Sequence, residues 1–179
     1  MRTNPPPPMI PTPASLFDDL RGRRVIVGVP GVGFRTDLRA DSAVASGGRT
    51  LVPVLTEQDY YRAEIEQVEV FAPLVPIDRV WVEHVPGRAE RAASSTGALD
   101  APMPRRAVAI TTATATLGAR VVHGVPDGFI RDLRAVTDAY NGSRGVTIRV
   151  CGEVEWYRWA LAGATPSTME IPAEMLWIE

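Results

Sequence analysis

The chain has 179 residues, 45% of them hydrophobic, and a formal net charge of −2, which is the balance of an ordinary globular protein and argues against a nucleic-acid binder with a basic face. All 19 basic residues are arginine, the signature of a GC-rich, bacterial genome, and this excludes Schiff-base, phosphate-loop and general-base lysine chemistry. One cysteine, Cys151, allows no internal disulfide, no apolar run reaches the roughly 18 residues of a membrane span, and the Pro-rich start does not read as a signal peptide; a cytoplasmic location is expected.

Residues 1–14 hold RTNPPPPMIPTP and are expected to be a disordered, solvated polyproline II tail. Ser15 is placed to cap a short helix, SLFDDLRG, stopped by Gly22. From there the chain is written twice. Residues 22–83 align with 118–179, so that GRRVIVGVPGVGFRTDLRA answers GARVVHGVPDGFIRDLRA and VPIDRVWVE answers IPAEMLWIE. The expected organisation is a first module over 15–84, a linker or long loop over 85–106, and a second module over 107–179.

Within each copy the elements follow in order. Arg24–Val29 and Arg120–Val125 are β-branched runs ended by Val-Pro and read as strands. The segments 34–45 and 129–140, around DLRA, fit either a strand or an amphipathic helix. The strand is preferred because it places Arg131, which can snorkel, on the apolar face, whereas the helix places the short Asp41 there. Leu51–Leu55 and Val146–Cys151 form a further strand. Glu57–Glu64 and Glu153–Ala162 suit a short helix, and Val80–Glu83 and Leu176–Glu179 a final strand. Before the second copy, 107–116 alternates and is Thr-rich; it is expected to be a strand turned back at Leu117-Gly118 into Val121–Val125. The expected fold class is β-rich α+β: two tandem copies of a rolled sheet or barrel of about 60 residues, SH3-like in outline, each with one short helix.

Residues kept in both copies report what the shared unit needs. Gly28/Gly124, Pro30/Pro126 and Gly33/Gly128 are read as turn-fixing pairs. Asp37/Asp132 and Arg39/Arg134 recur at i, i+2 and suggest an ion pair on one strand face, or a buried arginine–carboxylate network between the copies. Arg62/Arg158, Glu57/Glu153 and Glu83/Glu179 extend the charged set, and Tyr61/Tyr157 and Trp81/Trp177 are the retained aromatic anchors. The second copy adds tryptophan at Trp156 and Trp159, one helical face apart by i, i+3. With Tyr140 these form the expected partner-binding patch.

No spacing of His84, His123 and Cys151 makes a metal site, and no cofactor is expected. The weak catalytic candidates are His123, Cys151 and Glu153, in a nucleophile–base arrangement across neighbouring strands. The preferred reading is a non-enzymatic interaction or scaffold protein that binds a protein partner or itself. A small-molecule binder or enzyme using the cleft between repeats is the alternative, and nucleic-acid binding stands third.

Overall fold

The computed structural model describes residues 4–85, 99–111, 113–142 and 145–179. They divide into two compact units: Met9–Pro104, the N-terminal unit, and Arg105–Glu179 joined by the described residues before Met9, the C-terminal unit. Most of the 85–106 segment, residues 86–98, lies outside the described residues.

The N-terminal unit comprises β1 (Ile10–Pro13), β2 (Arg24–Val29), β3 (Gly33–Ala40), β4 (Val44–Ser46), β5 (Arg49–Thr56), α1 (Glu57–Glu66), β6 (Leu74–Pro76) and β7 (Val80–His84). One curled antiparallel sheet runs β1-β7-β2-β3-β5-β4, and β6 also pairs with β5. The C-terminal unit comprises β8 (Val108–Ala109), β9 (Arg120–Val125), β10 (Gly128–Ala135), β11 (Tyr140–Gly142), β12 (Gly145–Gly152), α2 (Glu153–Ala162), β13 (Met169–Pro172) and β14 (Leu176–Ile178). Its antiparallel sheet runs β8-β14-β9-β10-β12-β11, with β13 on β12. The order of connections is the same in both. The fold class is β-rich, with two curled antiparallel sheets and two α-helices among the described residues.

Alternation along the strands places each core. Val25 and Val27, Leu38 and Ala40, Val52 and Val54, Val80 and Val82 close one cluster with Ala14 and Leu20. Val121, Leu133 and Ala135, Ile148 and Val150, Ile171 and Leu176 close the other. Burying one β-branched residue in every two is what a sheet with one face in the core requires. Each helix occupies ten residues after the long fifth strand of its unit. The Thr56 hydroxyl caps α1 by accepting from the Asp59 amide at 3.1 Å, and α2 ends where Gly163 takes a left-handed φ of 69°.

The DLRA segments are strands, with an irregularity that alternation alone does not foresee. Asp37 and Asp132 take φ of 58° and 56°, and the pairing slips between Val25 and Val27 and between Ile130 and Leu133. Each slip is a β-bulge. It sits at the residues that take the left-handed φ, so strict i, i+2 alternation does not run unbroken through either DLRA segment.

Several expectations near the N-terminus and between the copies are corrected. Ile10–Pro13 is not a solvated tail: it pairs antiparallel with β7, Thr12 opposite Val82 and Pro13 opposite Trp81. Proline is tolerated because β1 is an edge strand, and residues 11 and 13 lose their donors on the same side. Ser15 caps no helix. Ala14–Leu16 is a single 3-10 turn that Phe17 closes on the Ala14 carbonyl at 3.1 Å. Among the described residues of 107–116, only Val108–Ala109 is strand, paired with β14 and not with β9. Beyond it the Thr114 amide bonds to the Thr111 carbonyl as a turn. Asp138 Oδ1 then accepts from the amides of Thr116 and Leu117, at 2.7 and 3.0 Å. Gly28 serves a close approach more than a turn, since a Cβ there would lie 2.8 Å from Leu99 Cδ1 and 3.0 Å from Trp81 Cζ3.

Candidate functional site

The repeated charges converge inside each unit. In the C-terminal unit, Arg120 opens β9, Arg134 lies opposite it near the end of β10, and Glu153 is the first residue of α2. Glu153 Oε1 lies 3.3 Å from Arg120 Nε and 3.0 Å from Arg134 Nε. Arg134 also donates to the Gly118 carbonyl at 3.0 Å and to the Tyr157 hydroxyl at 3.3 Å. The N-terminal unit repeats the set: Arg39 Nε is 3.2 Å and Arg24 Nε 3.9 Å from Glu57 Oε1, and Arg39 donates to the Gly22 carbonyl and the Tyr61 hydroxyl. Glu57 and Glu153 are each only 2% exposed. A carboxylate at the first position of a helix also meets the positive end of its dipole. The network expected between the copies is therefore built within each one, because the helix start brings its carboxylate to the two strand arginines of its own sheet. Arg24 and Arg120 are the members that charge spacing overlooked; their identity in both copies was the available signal.

Of the other repeated pairs, Arg62 pairs with Glu66 on the exposed side of α1, at 3.0 Å, and Arg158 is exposed on α2. Trp81 is fully buried and Trp177 nearly so. Each meets a phenylalanine edge-on, Phe34 at 5.8 Å and Phe129 at 6.0 Å.

On α2, Trp156 and Trp159 meet edge-to-face with ring centroids 5.3 Å apart. Trp156 is half-buried over Gly118, where a Cβ would lie 3.4 Å from Trp156 Cζ2; Trp159 is 36% exposed. Tyr140 has different company. It stands on β11 opposite Thr147, with its ring 5.7 Å from the Arg149 guanidinium, and Arg149 in turn bonds to Glu170.

The catalytic candidates do not converge. Cys151 is opposite Arg134 on β10, and Arg134 is opposite Arg120 on β9. His123 is three residues beyond Arg120 on the same regular strand, so it projects from the other face of the sheet, opposite Ile130 and Leu176. Burial pushes the Cys151 thiol up to about 11, with Glu155 adding to it, and burial lowers the His123 pKa. A neutral thiol and a neutral imidazole on opposite faces cannot form a nucleophile–base pair. Glu153 is occupied by its two arginines. Among the described residues no three His, Cys, Asp or Glu side chains gather in a way that could hold a metal ion, and no helix is long and apolar enough to cross a membrane.

No protein-family model, curated protein or solved structure matches the chain. What the molecule can do is therefore argued from its own two units. Glu57 and Glu153, Arg39 and Arg134, and Tyr61 and Tyr157 do the same work in each. Among the departures between the units are those on the outward surface of the helix.

Proposed function

We propose that the chain is a non-enzymatic interaction protein, a tandem pair of copies of one SH3-like rolled-sheet unit, with the second copy modified to bind a protein partner through α2. The shared strand order supports the duplication, as do the 3-10 turn before each last strand (Ile77–Arg79 and Ala173–Met175) and the repeated Arg–Glu–Tyr set. The SH3-like description rests on the small curled sheet and on that turn. The module boundaries proposed are 15–84 and 107–179.

One observation carries the functional reading. The two helices begin alike, yet the residues of α1 that face water, Gln58, Glu64 and Glu66, are answered on α2 by Val154, Ala160 and Ala162. Tyr60 and Ala63 are answered by Trp156 and Trp159. Val154 is 45% and Trp159 36% exposed, while the exposed Arg62 keeps its counterpart in the exposed Arg158. A solvent-facing helix surface made apolar and given tryptophan is the composition of an interface rather than of a soluble face.

The test compares the wild-type chain with a Trp156→Ala, Trp159→Ala double variant and with a Tyr60→Ala control, each checked for an intact folding transition. Partner capture and sedimentation are read together. Proteins retained by wild type and control but lost by the double variant support the reading; self-association lost in the same way identifies the partner as a second copy. Identical captures and identical sedimentation for all three chains would overturn it.

A further inference from the structure

A run of prolines offers a binding partner very little. The rings hold φ near −65° and push each preceding residue out of the helical region, so Pro5–Pro8 is confined to a polyproline II path without internal hydrogen bonds. Its four residues have no backbone donor, which leaves only carbonyl oxygens and ring faces to recognise. A site for such a segment needs a donor aimed at a carbonyl and an apolar shelf for the rings.

The C-terminal unit supplies both in one place. Arg131 Nη2 donates to the Pro7 carbonyl at 2.6 Å. The same guanidinium pairs through Nη1 with the Glu179 carboxylate, whose side chain is 1% exposed, so the donor is held in position. Pro5 lines a pocket of about 230 Å³ with Ala109, Ile110, Ala173, Leu176 and Trp177, and with one charged residue, Glu174. Phe129 supports the Trp177 ring from its edge. Pro6, between the two contacts, is buried.

We infer that this face of the C-terminal unit is a binding site for proline-rich peptides of a partner protein, closed in cis by the chain's own Pro5–Pro8. The site stands on β10 and β14 and shares no residue with the tryptophans of α2, so it does not depend on the function proposed above. The tail and the surface it covers belong to one chain, so its docking is intramolecular and raises its effective concentration at the site. An external peptide of similar chemistry therefore competes poorly until the tail is released, which makes the N-terminus an autoinhibitory segment.

The probe is a capped synthetic peptide with the sequence of residues 4–9, titrated calorimetrically into full-length chains. The chains are the wild type, a Pro5→Gly, Pro6→Gly, Pro7→Gly variant, and that variant carrying Arg131→Met in addition. The triple-glycine chain is expected to bind at least about tenfold tighter than wild type, the factor set by removing the tethered competitor. Adding Arg131→Met is expected to reverse that gain. Equal affinity for wild type and triple-glycine chain, absence of binding to the triple-glycine chain, or indifference to Arg131→Met would each overturn the inference. If Arg131→Met loses its folding transition, Arg131→Lys replaces it, since lysine keeps a charge opposite Glu179 without the planar fork that spans both partners.

Discussion

Arg134 Nε lies 3.0 Å from Glu153 Oε1, and Arg39 Nε lies 3.2 Å from Glu57 Oε1. The same ion pair is thus made twice, between the end of a bulged strand and the first residue of the helix that follows two strands later. It ties the start of each helix to its own sheet. A buried carboxylate facing two guanidiniums is stable only while all three are present, since removing one leaves uncompensated charge out of water.

Glu153→Ala and Glu57→Ala are each expected to lower stability by about 3–5 kcal/mol in urea unfolding. Glu153→Gln, which keeps the shape and one acceptor, should fall short of that loss. Arg62→Ala removes an exposed i, i+4 pair and should cost about 0.5 kcal/mol or less. Comparable losses for Glu153→Ala and Arg62→Ala would contradict the structural role given to the buried set.

The two tryptophans of α2 should separate in stability measurements. Trp156 covers Gly118 and is half-buried, so Trp156→Ala is expected to cost about 2–3 kcal/mol, near the lower end for aromatic truncation. Trp159 is more open, and Trp159→Ala should cost about 1 kcal/mol or less while still removing partner capture. Thermal melts of the two single variants, set beside their capture profiles, check both halves of this expectation.

Much of this architecture is legible in the chain because strand alternation and the likeness of residues 22–83 to 118–179 reinforce one another. The bounds of β2, β9 and α2 follow directly from the Val-rich runs, from the Pro residues after them and from Gly163. The bulges at Asp37 and Asp132 were hidden, since an aspartate accepts a left-handed φ at modest cost and leaves no glycine to mark the place. β1 was hidden for the opposite reason: Pro11 and Pro13 look like strand breakers until an edge position removes the need for their donors. The repeated arginines and Glu153 were visible as a charged set, but which of them meet was not, because Arg120 and Arg134 are brought together only by the pairing of β9 with β10.

Cys151 gives an alkaline signature. Its thiol is raised from 9.0 to about 11 by burial, with Glu155 adding to the effect. The folded state holds its proton more tightly than the unfolded chain does. The corresponding stability is fully present below pH 9 and is lost as pH rises toward about 11, amounting to about 2–3 kcal/mol. Cys151→Ala should flatten the pH dependence of urea midpoints across that window relative to wild type. At pH 7.4 the native thiol should also react with a disulfide reagent far more slowly than in the unfolded chain.

His123 gives the acid counterpart. It occupies the position that Val27 holds in the first copy, and its Nδ1 is buried without a hydrogen-bond partner among the described residues. Burial alone lowers its pKa from 6.5, so the folded state prefers the neutral ring. The sign is opposite to that of Cys151: the stability is present above pH 6.5 and is lost as pH falls through the lower folded value. His123→Val restores the residue of the first copy and removes the titrating group. That variant should hold its urea midpoint as the pH falls below 6.5, where the wild type declines more steeply. An NMR titration placing His123 at or above 6.5 in the folded chain would contradict the burial argument, as would parallel acid profiles for the two proteins.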